Sequence, residues 1–96
     1  MDRDEILQVL RDHQAELRAM GVKSLAIFGS VARGEATPES DVDVLVEFDG
    51  PATFDRFMET KFFLEDLLGC SVDLVTRQAL KPRIRPHVER EALYVT

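Results

Sequence analysis

The chain has 96 residues, 45% of them apolar and 31% charged, and its twelve Lys and Arg against eighteen Asp and Glu leave a net charge of −6. A chain of this length supports one small domain spanning residues 1–96, able to bury about 60–70% of its unfolded surface, and the composition is that of a folded chain, not a disordered one. So acidic a protein is expected to be a poor general binder of nucleic-acid backbones, since such binding needs a basic face. No apolar run approaches the roughly 20 residues of a membrane span. The single cysteine, Cys70, excludes an intramolecular disulfide and an all-cysteine zinc site. The charged start, Met1-Asp2-Arg3-Asp4-Glu5, lacks the apolar stretch of a signal peptide. A reducing cytoplasm is therefore the expected compartment.

Asp2, with Glu5 three residues on, reads as a capping box with Asp in the usual Ser or Thr place. Ile6, Leu10, Leu17 and Met20 then recur at helical spacing, with His13 on the missing turn, and predict one amphipathic helix over residues 3–20 that stops at Gly21. Residues 22–28 read as a buried strand, broken by Gly29-Ser30, after which a short helical turn can begin. Residues 31–40, with Gly34, Thr37, Pro38 and Ser40, have loop composition. Residues 41–48 alternate with period two and form the clearest strand. Asp49-Gly50-Pro51 is a turn, and Phe54, Phe57, Met58, Phe62, Leu64, Leu67 and Leu68 then line a helix ending at Gly69. Residues 71–76 give a third strand, and Pro86 suits the first turn of a last helix over roughly 86–93. The expected fold class is α/β (α+β): a small mixed three-stranded sheet covered by helices. The stretch between the first two strands is too short and polar for a crossover helix, so those strands are expected to be antiparallel.

Side chains on a strand alternate faces, so Asp41 and Asp43 point to one side and Val42, Val44, Val46 and Phe48 to the other. Two carboxylates so placed repel unless water or a cation neutralises them, and Mg²⁺ favours a few carboxylate oxygens together with substrate phosphates. Alone, Asp-x-Asp is equally a solvated strand face. Asp73 lies between Val72 and Leu74 in another apolar strand, where an unpartnered buried carboxylate is costly. If its strand lies beside the second, three acids can surround one or two ions in the manner of two-metal phosphoryl-transfer sites. Gly29 lets the backbone approach a phosphate, and the N–H groups and the Ser30 hydroxyl that follow can donate to it, although an ordinary turn also explains Gly-Ser. No Gly-Lys-Ser/Thr is present, which excludes a P-loop.

Gly29-Ser30, ten residues, Asp41-x-Asp43 and a later Asp73 in an apolar strand resemble the motif set of nucleotidyltransferases of the DNA polymerase beta superfamily. Within that group the chain is similar to the minimal nucleotidyltransferases, antitoxins paired with HEPN-domain toxins. The likeness runs through the motifs from about Leu25 to Thr76 and extends to the leading helix and to Arg83 through Val95. It implies the polymerase-beta-like fold and transfer of AMP from ATP to a hydroxyl, for this group a tyrosine of the HEPN toxin. It implies that Gly29 and Ser30 hold the triphosphate, that Asp41 and Asp43 ligate Mg²⁺, and that Asp73 completes a second ion site and helps to deprotonate the acceptor. Positioning and charge neutralisation suffice for such chemistry.

No residues are left over for an acceptor-binding domain, so a second chain is expected to present the acceptor. Two other functions remain in view: a non-catalytic module that silences its partner by occlusion, and a small-molecule nucleotidyltransferase. Arg33, three residues after Ser30, is in reach of a phosphate or is a solvated loop residue. Residues 77–90 hold Arg77, Lys81, Arg83, Arg85 and Arg90 against one acid, Glu89, and either flank the triphosphate, touch the partner or are solvated. His13 is expected at the edge of the core. His87, without a carboxylate or cysteine at ligand spacing, is not assigned a metal. Cys70 is expected to be a small buried apolar residue and the row Phe54, Phe57, Phe62 and Phe63 mostly core. Open sheet edges leave self-association open.

Overall fold

A computed structural model describes residues 2–37 and 39–96. Met1, and Pro38 with its part in the loop expected over residues 31–40, lie outside the described residues. The elements run α1 (Arg3–Asp12), α2 (Gln14–Ala19), β1 (Val22–Phe28), α3 (Gly29–Ala32), β2 (Val42–Phe48), α4 (Phe54–Leu68), β3 (Val72–Thr76), a 3₁₀ turn (Arg77–Ala79), α5 (Arg85–Glu91) and β4 (Leu93–Tyr94). The sheet order is β3-β2-β1-β4. The strand β1 is antiparallel to β2 and to β4, whereas β2 and β3 run parallel, as the 15-residue crossover helix α4 requires.

The mixed α/β fold is thus as expected, but the sheet has four strands, not three. The fourth is two residues long, too short for an alternating pattern, and is fixed by tertiary pairing: beyond the Ala26–Tyr94 and Ile27–Leu93 register, Val95 N–H donates to Leu25 O at 2.8 Å. The expected single helix over residues 3–20 is two. Asp2 caps the first by accepting from Glu5 N–H at 2.9 Å. His13 breaks the run at φ −113°, ψ 20°, its Nδ1 2.8 Å from Val9 O. The half-buried ring meets Phe63 edge to face with centroids 6.4 Å apart, at the core edge as expected.

One sheet face carries the main core. Leu25, Ile27, Val42, Val44, Val46 and Val72 pack there against Ile6, Leu10, Leu17, Leu64 and Leu68 from α1, α2 and α4. On α4 the fully buried positions are Thr60 and Leu64, and Thr60 Oγ1 donates to Arg56 O at 2.9 Å, which satisfies its hydroxyl inside the core. The phenylalanine row is not core throughout: Phe54 and Phe62 are 76% and 55% exposed, while Phe57 and Phe63 are half-buried. A helix lying on a sheet offers only about a third of its circumference to it, and α4 has more apolar residues than that stripe can hold. Cys70 is exposed, contrary to expectation, because the chain leaves α4 at Gly69 (φ 66°) and reaches β3 through surface residues.

The opposite face carries a smaller apolar patch, Ala26 and Leu45 beneath Leu80 and Val88, so that the 3₁₀ turn and α5 cover only its middle. The Asp43 end of that face is left beside α3 and the end of α5. Since Leu64 has no solvent contact and holds α4 in the main core, Leu64→Ala is expected to lower unfolding stability by about 3 kcal/mol in chemical denaturation.

Candidate active site

Strand register brings the acids together. Asp43 pairs with Phe28 on β1 and with Asp73 on β3, so Asp43 and Asp73 stand abreast on neighbouring parallel strands, about 4.8 Å apart along the hydrogen-bond direction. Both project to the face carrying Leu45 and Val75, away from the main core. Asp41 precedes β2 by one residue and is exposed. Asp73 is exposed too, although its apolar neighbours predicted a buried carboxylate: β3 is an outer strand, and Val72 and Leu74 turn to the main core while Asp73 between them turns the other way. The half-buried acid is Asp43, on the inner strand. Its burial, reinforced by the negative charges of Asp73 and then Asp41, pushes its carboxyl above the usual Asp range, with Arg33 pulling the other way.

Gly29 makes that burial possible. It follows β1 directly, at φ 69°, and turns the chain into α3 over the Asp43 side chain. A Cβ on Gly29 would lie 3.0 Å from Asp43 Cγ and nearer still to Oδ2. Only a residue without a side chain admits the carboxylate there, and the left-handed backbone favours glycine independently. Ser30 is half-buried in the same turn. Arg33 ends α3 and is not a freely solvated loop residue: Nε donates to Glu35 Oε1 at 2.9 Å, and Nη1 lies 3.1 and 3.3 Å from the two oxygens of Glu91. The same Glu91 carboxylate accepts from Gly29 N–H at 3.2 Å.

Gly29, Ser30, Arg33, Asp43 and Asp73 are therefore gathered at one end of the sheet face, with Asp41 at its margin. Sequence reading passed over Glu91. Counting the basic segment to residue 90 stops one short of it, and its place one turn after His87 was the available signal. His87, expected to have no carboxylate at ligand spacing, has Glu91 one turn on, with Nε2 3.9 Å from Glu91 Oε2. As the side chains stand, no three His, Cys, Asp or Glu among the described residues are close enough to hold a metal ion. Farther along the basic segment, Arg77 is tied to Glu89 at 2.9 Å and Arg85 donates to Leu80 O at 3.2 Å.

A glycine turn over an acid on an inner strand, with a second acid abreast of it, is a site built to gather negative charge beside hydrogen-bond donors. Against known proteins, the family model described as a nucleotidyltransferase domain matches residues 4–95. The chain belongs to this nucleotidyltransferase family. It is 45% identical over 93 residues to the protein adenylyltransferase MntA of Thermococcus cleftensis, covering 96% of this chain and 94% of that one. A solved structure described as a candidate minimal nucleotidyltransferase superposes with TM-score 0.84 at 40% identity, covering 97% and 95% of the two chains. The fold also matches, at TM-score 0.67 and 18% identity over 94% of this chain and 71% of the other, a complex of a tri-AMPylated Shewanella oneidensis HEPN toxin with an MNT antitoxin.

Two outcomes are expected from this geometry. Gly29→Ala should cost at least about 2 kcal/mol in denaturation, since both the backbone and the Asp43 carboxylate must shift. The raised Asp43 pKa means that its charged form is worse accommodated in the folded than in the unfolded chain. The folded chain is thus relieved of that burden at pH below the ordinary Asp value and carries it in full above the raised one. Asp43→Asn should therefore raise Tm at pH 7, by a few degrees (about 4 °C), without divalent cations. The gain should fade as pH is lowered through the folded pKa.

Proposed function

We propose that this chain is a Mg²⁺-dependent protein adenylyltransferase that moves AMP from ATP to a hydroxyl of a partner protein, a tyrosine of a HEPN-domain toxin, and so acts as an antitoxin. The observation that carries this reading is the side-by-side placement of Asp43 and Asp73, with Asp41 nearby and Gly29 packed on Asp43. The adenylyl group is that named for the Thermococcus relative, and the HEPN partner is that of the Shewanella complex.

The donor set suits Mg²⁺: carboxylate oxygens only, on a face where burial, and after it the charges of Asp73 and Asp41, already push the Asp43 carboxyl up. Asp41, Asp43 and Asp73 would hold the ions. Because Asp41 and Asp73 are exposed, rotation of two surface side chains toward Asp43 asks little of the fold. When bound, the metal supplies charge neutralisation of the phosphates and a more acidic acceptor oxygen. The chain's own groups orient the reactants. Gly29 N–H and the Ser30 hydroxyl hold the triphosphate, with Arg33 adding positive charge beside it. Asp73 receives the proton of the acceptor hydroxyl. That oxygen then bonds to the α-phosphorus as the bond from the α-phosphorus to the β-phosphate oxygen breaks, and pyrophosphate leaves. Asp41, Asp43 and Asp73 are in this reading the catalytic residues, and Gly29, Ser30 and Arg33 the nucleotide-holding ones.

The test is incubation with Mg²⁺ and ATP labelled at the α-phosphate, with and without the HEPN protein. Label should appear on the partner's tyrosine, disappear on chelation of the metal, and fall by at least about 100-fold in Asp43→Asn. A partner silenced equally well by Asp43→Asn, without label, would replace this reading by occlusion.

A further inference from the structure

The Glu91 carboxylate occupies the two donors that the proposed function assigns to phosphate. It accepts the Gly29 N–H at 3.2 Å and bridges the Arg33 guanidinium at 3.1 and 3.3 Å. Its side chain is only 19% exposed, and a carboxylate so far withdrawn from water depends on those donors for its solvation. Phosphate oxygens and carboxylate oxygens take the same partners, backbone N–H and guanidinium. The Gly29 amide has one hydrogen and serves one acceptor at a time.

We propose that Glu91 is an internal stand-in for phosphate, which a nucleotide's triphosphate must displace, so that this residue sets the affinity of the chain for nucleotide. The inference rests on the phosphate-holding role of Gly29 and Arg33 proposed above. The surroundings suit an exchange of anions. Arg33 keeps its second partner, Glu35 on Nε at 2.9 Å, and so stays in place when Glu91 leaves. Glu91 is the last residue of α5, and Ala92 after it is already extended (ψ 134°). Withdrawal of the side chain therefore breaks no helix beyond it. His87, 3.9 Å from Oε2 one turn back, offers the displaced carboxylate a polar neighbour. The α5 backbone itself stays anchored through buried Val88. The hydrogen bonds of Glu91 go to Gly29 and Arg33, the two groups assigned to phosphate, so the part proposed for it is to regulate occupancy.

Inorganic triphosphate, titrated calorimetrically into the full chain and into Glu91→Gln, isolates this competition from base recognition. The variant keeps the size of the side chain and loses its charge. It should bind triphosphate about tenfold more tightly, charge-assisted hydrogen bonds being roughly twice as strong as neutral ones. Equal or weaker binding by the variant, or no binding by either protein, overturns the proposal. A readout on the unsubstituted chain guards against a variant that misfolds: triphosphate should shift the Gly29 amide and the Glu91 side-chain carboxyl together in NMR spectra. Binding that leaves the Glu91 carboxyl unmoved also overturns it. Tighter triphosphate binding without transfer of label from ATP to any partner would uphold this inference and remove the transferase reading. Transfer of label with unchanged triphosphate affinity in Glu91→Gln would do the reverse.

Discussion

The packing of the Asp43 carboxylate against the α-carbon of Gly29 shapes everything at the functional end of this molecule. A strand acid has been roofed by backbone, at a distance that no side chain on Gly29 would permit. The chain must leave β1 at that residue, in a left-handed conformation, and the short helix α3 follows from the turn. Under that roof Asp43 loses water, and the acids Asp73 on β3 and Asp41 just before β2 add their charge, so its own carboxylate is held less well than in water. Such stored repulsion is costly for folding and useful for holding cations, a trade found widely at functional sites.

The sheet divides the labour between its faces. One is covered by α1, α2 and α4 and is apolar along most of its length. The other has cover only in the middle, where Leu80 and Val88 rest on Ala26 and Leu45. The uncovered end is where the exposed Asp41 and Asp73 and the half-buried Asp43 stand. The last helix serves both purposes: Val88 contributes to the small core, while Glu91, one turn further, delivers a carboxylate to Gly29 and Arg33. Helical periodicity makes that double use possible, since residues three apart share a face.

Much of this was legible beforehand, for identifiable reasons. The strands β1 and β2 stood out through their apolar content and alternation, and Gly69 and Asp2 marked helix ends through well-understood capping preferences. What failed did so where competition between sites decides the outcome. Apolar residues on α4 exceeded the available core, so Phe54 and Phe62 remained outside. Asp73 looked buried by its neighbours in sequence, yet it lies at an outer strand, in solvent. His13 had the right spacing for an unbroken helix, but its ring turns back to Val9 O and the helix breaks there. The pair Leu93–Tyr94 became a strand only because Ala26 and Ile27 offered an open edge.

By itself, the sequence determined the local grammar of this protein: the three longer strands and the helix between the second and third, the glycines that end them, and which acids alternate onto one face. Those properties depend on residues a few positions apart, whose geometry the backbone period fixes. Tertiary structure alone decided which strands became neighbours, and hence that Asp43 and Asp73 stand in register. It also decided which acid is shielded from water, and that a glutamate 62 residues beyond Gly29 accepts its amide hydrogen. Solvation and Coulomb energy depend on distance in space, and no spacing along the chain encodes that distance until the sheet has closed.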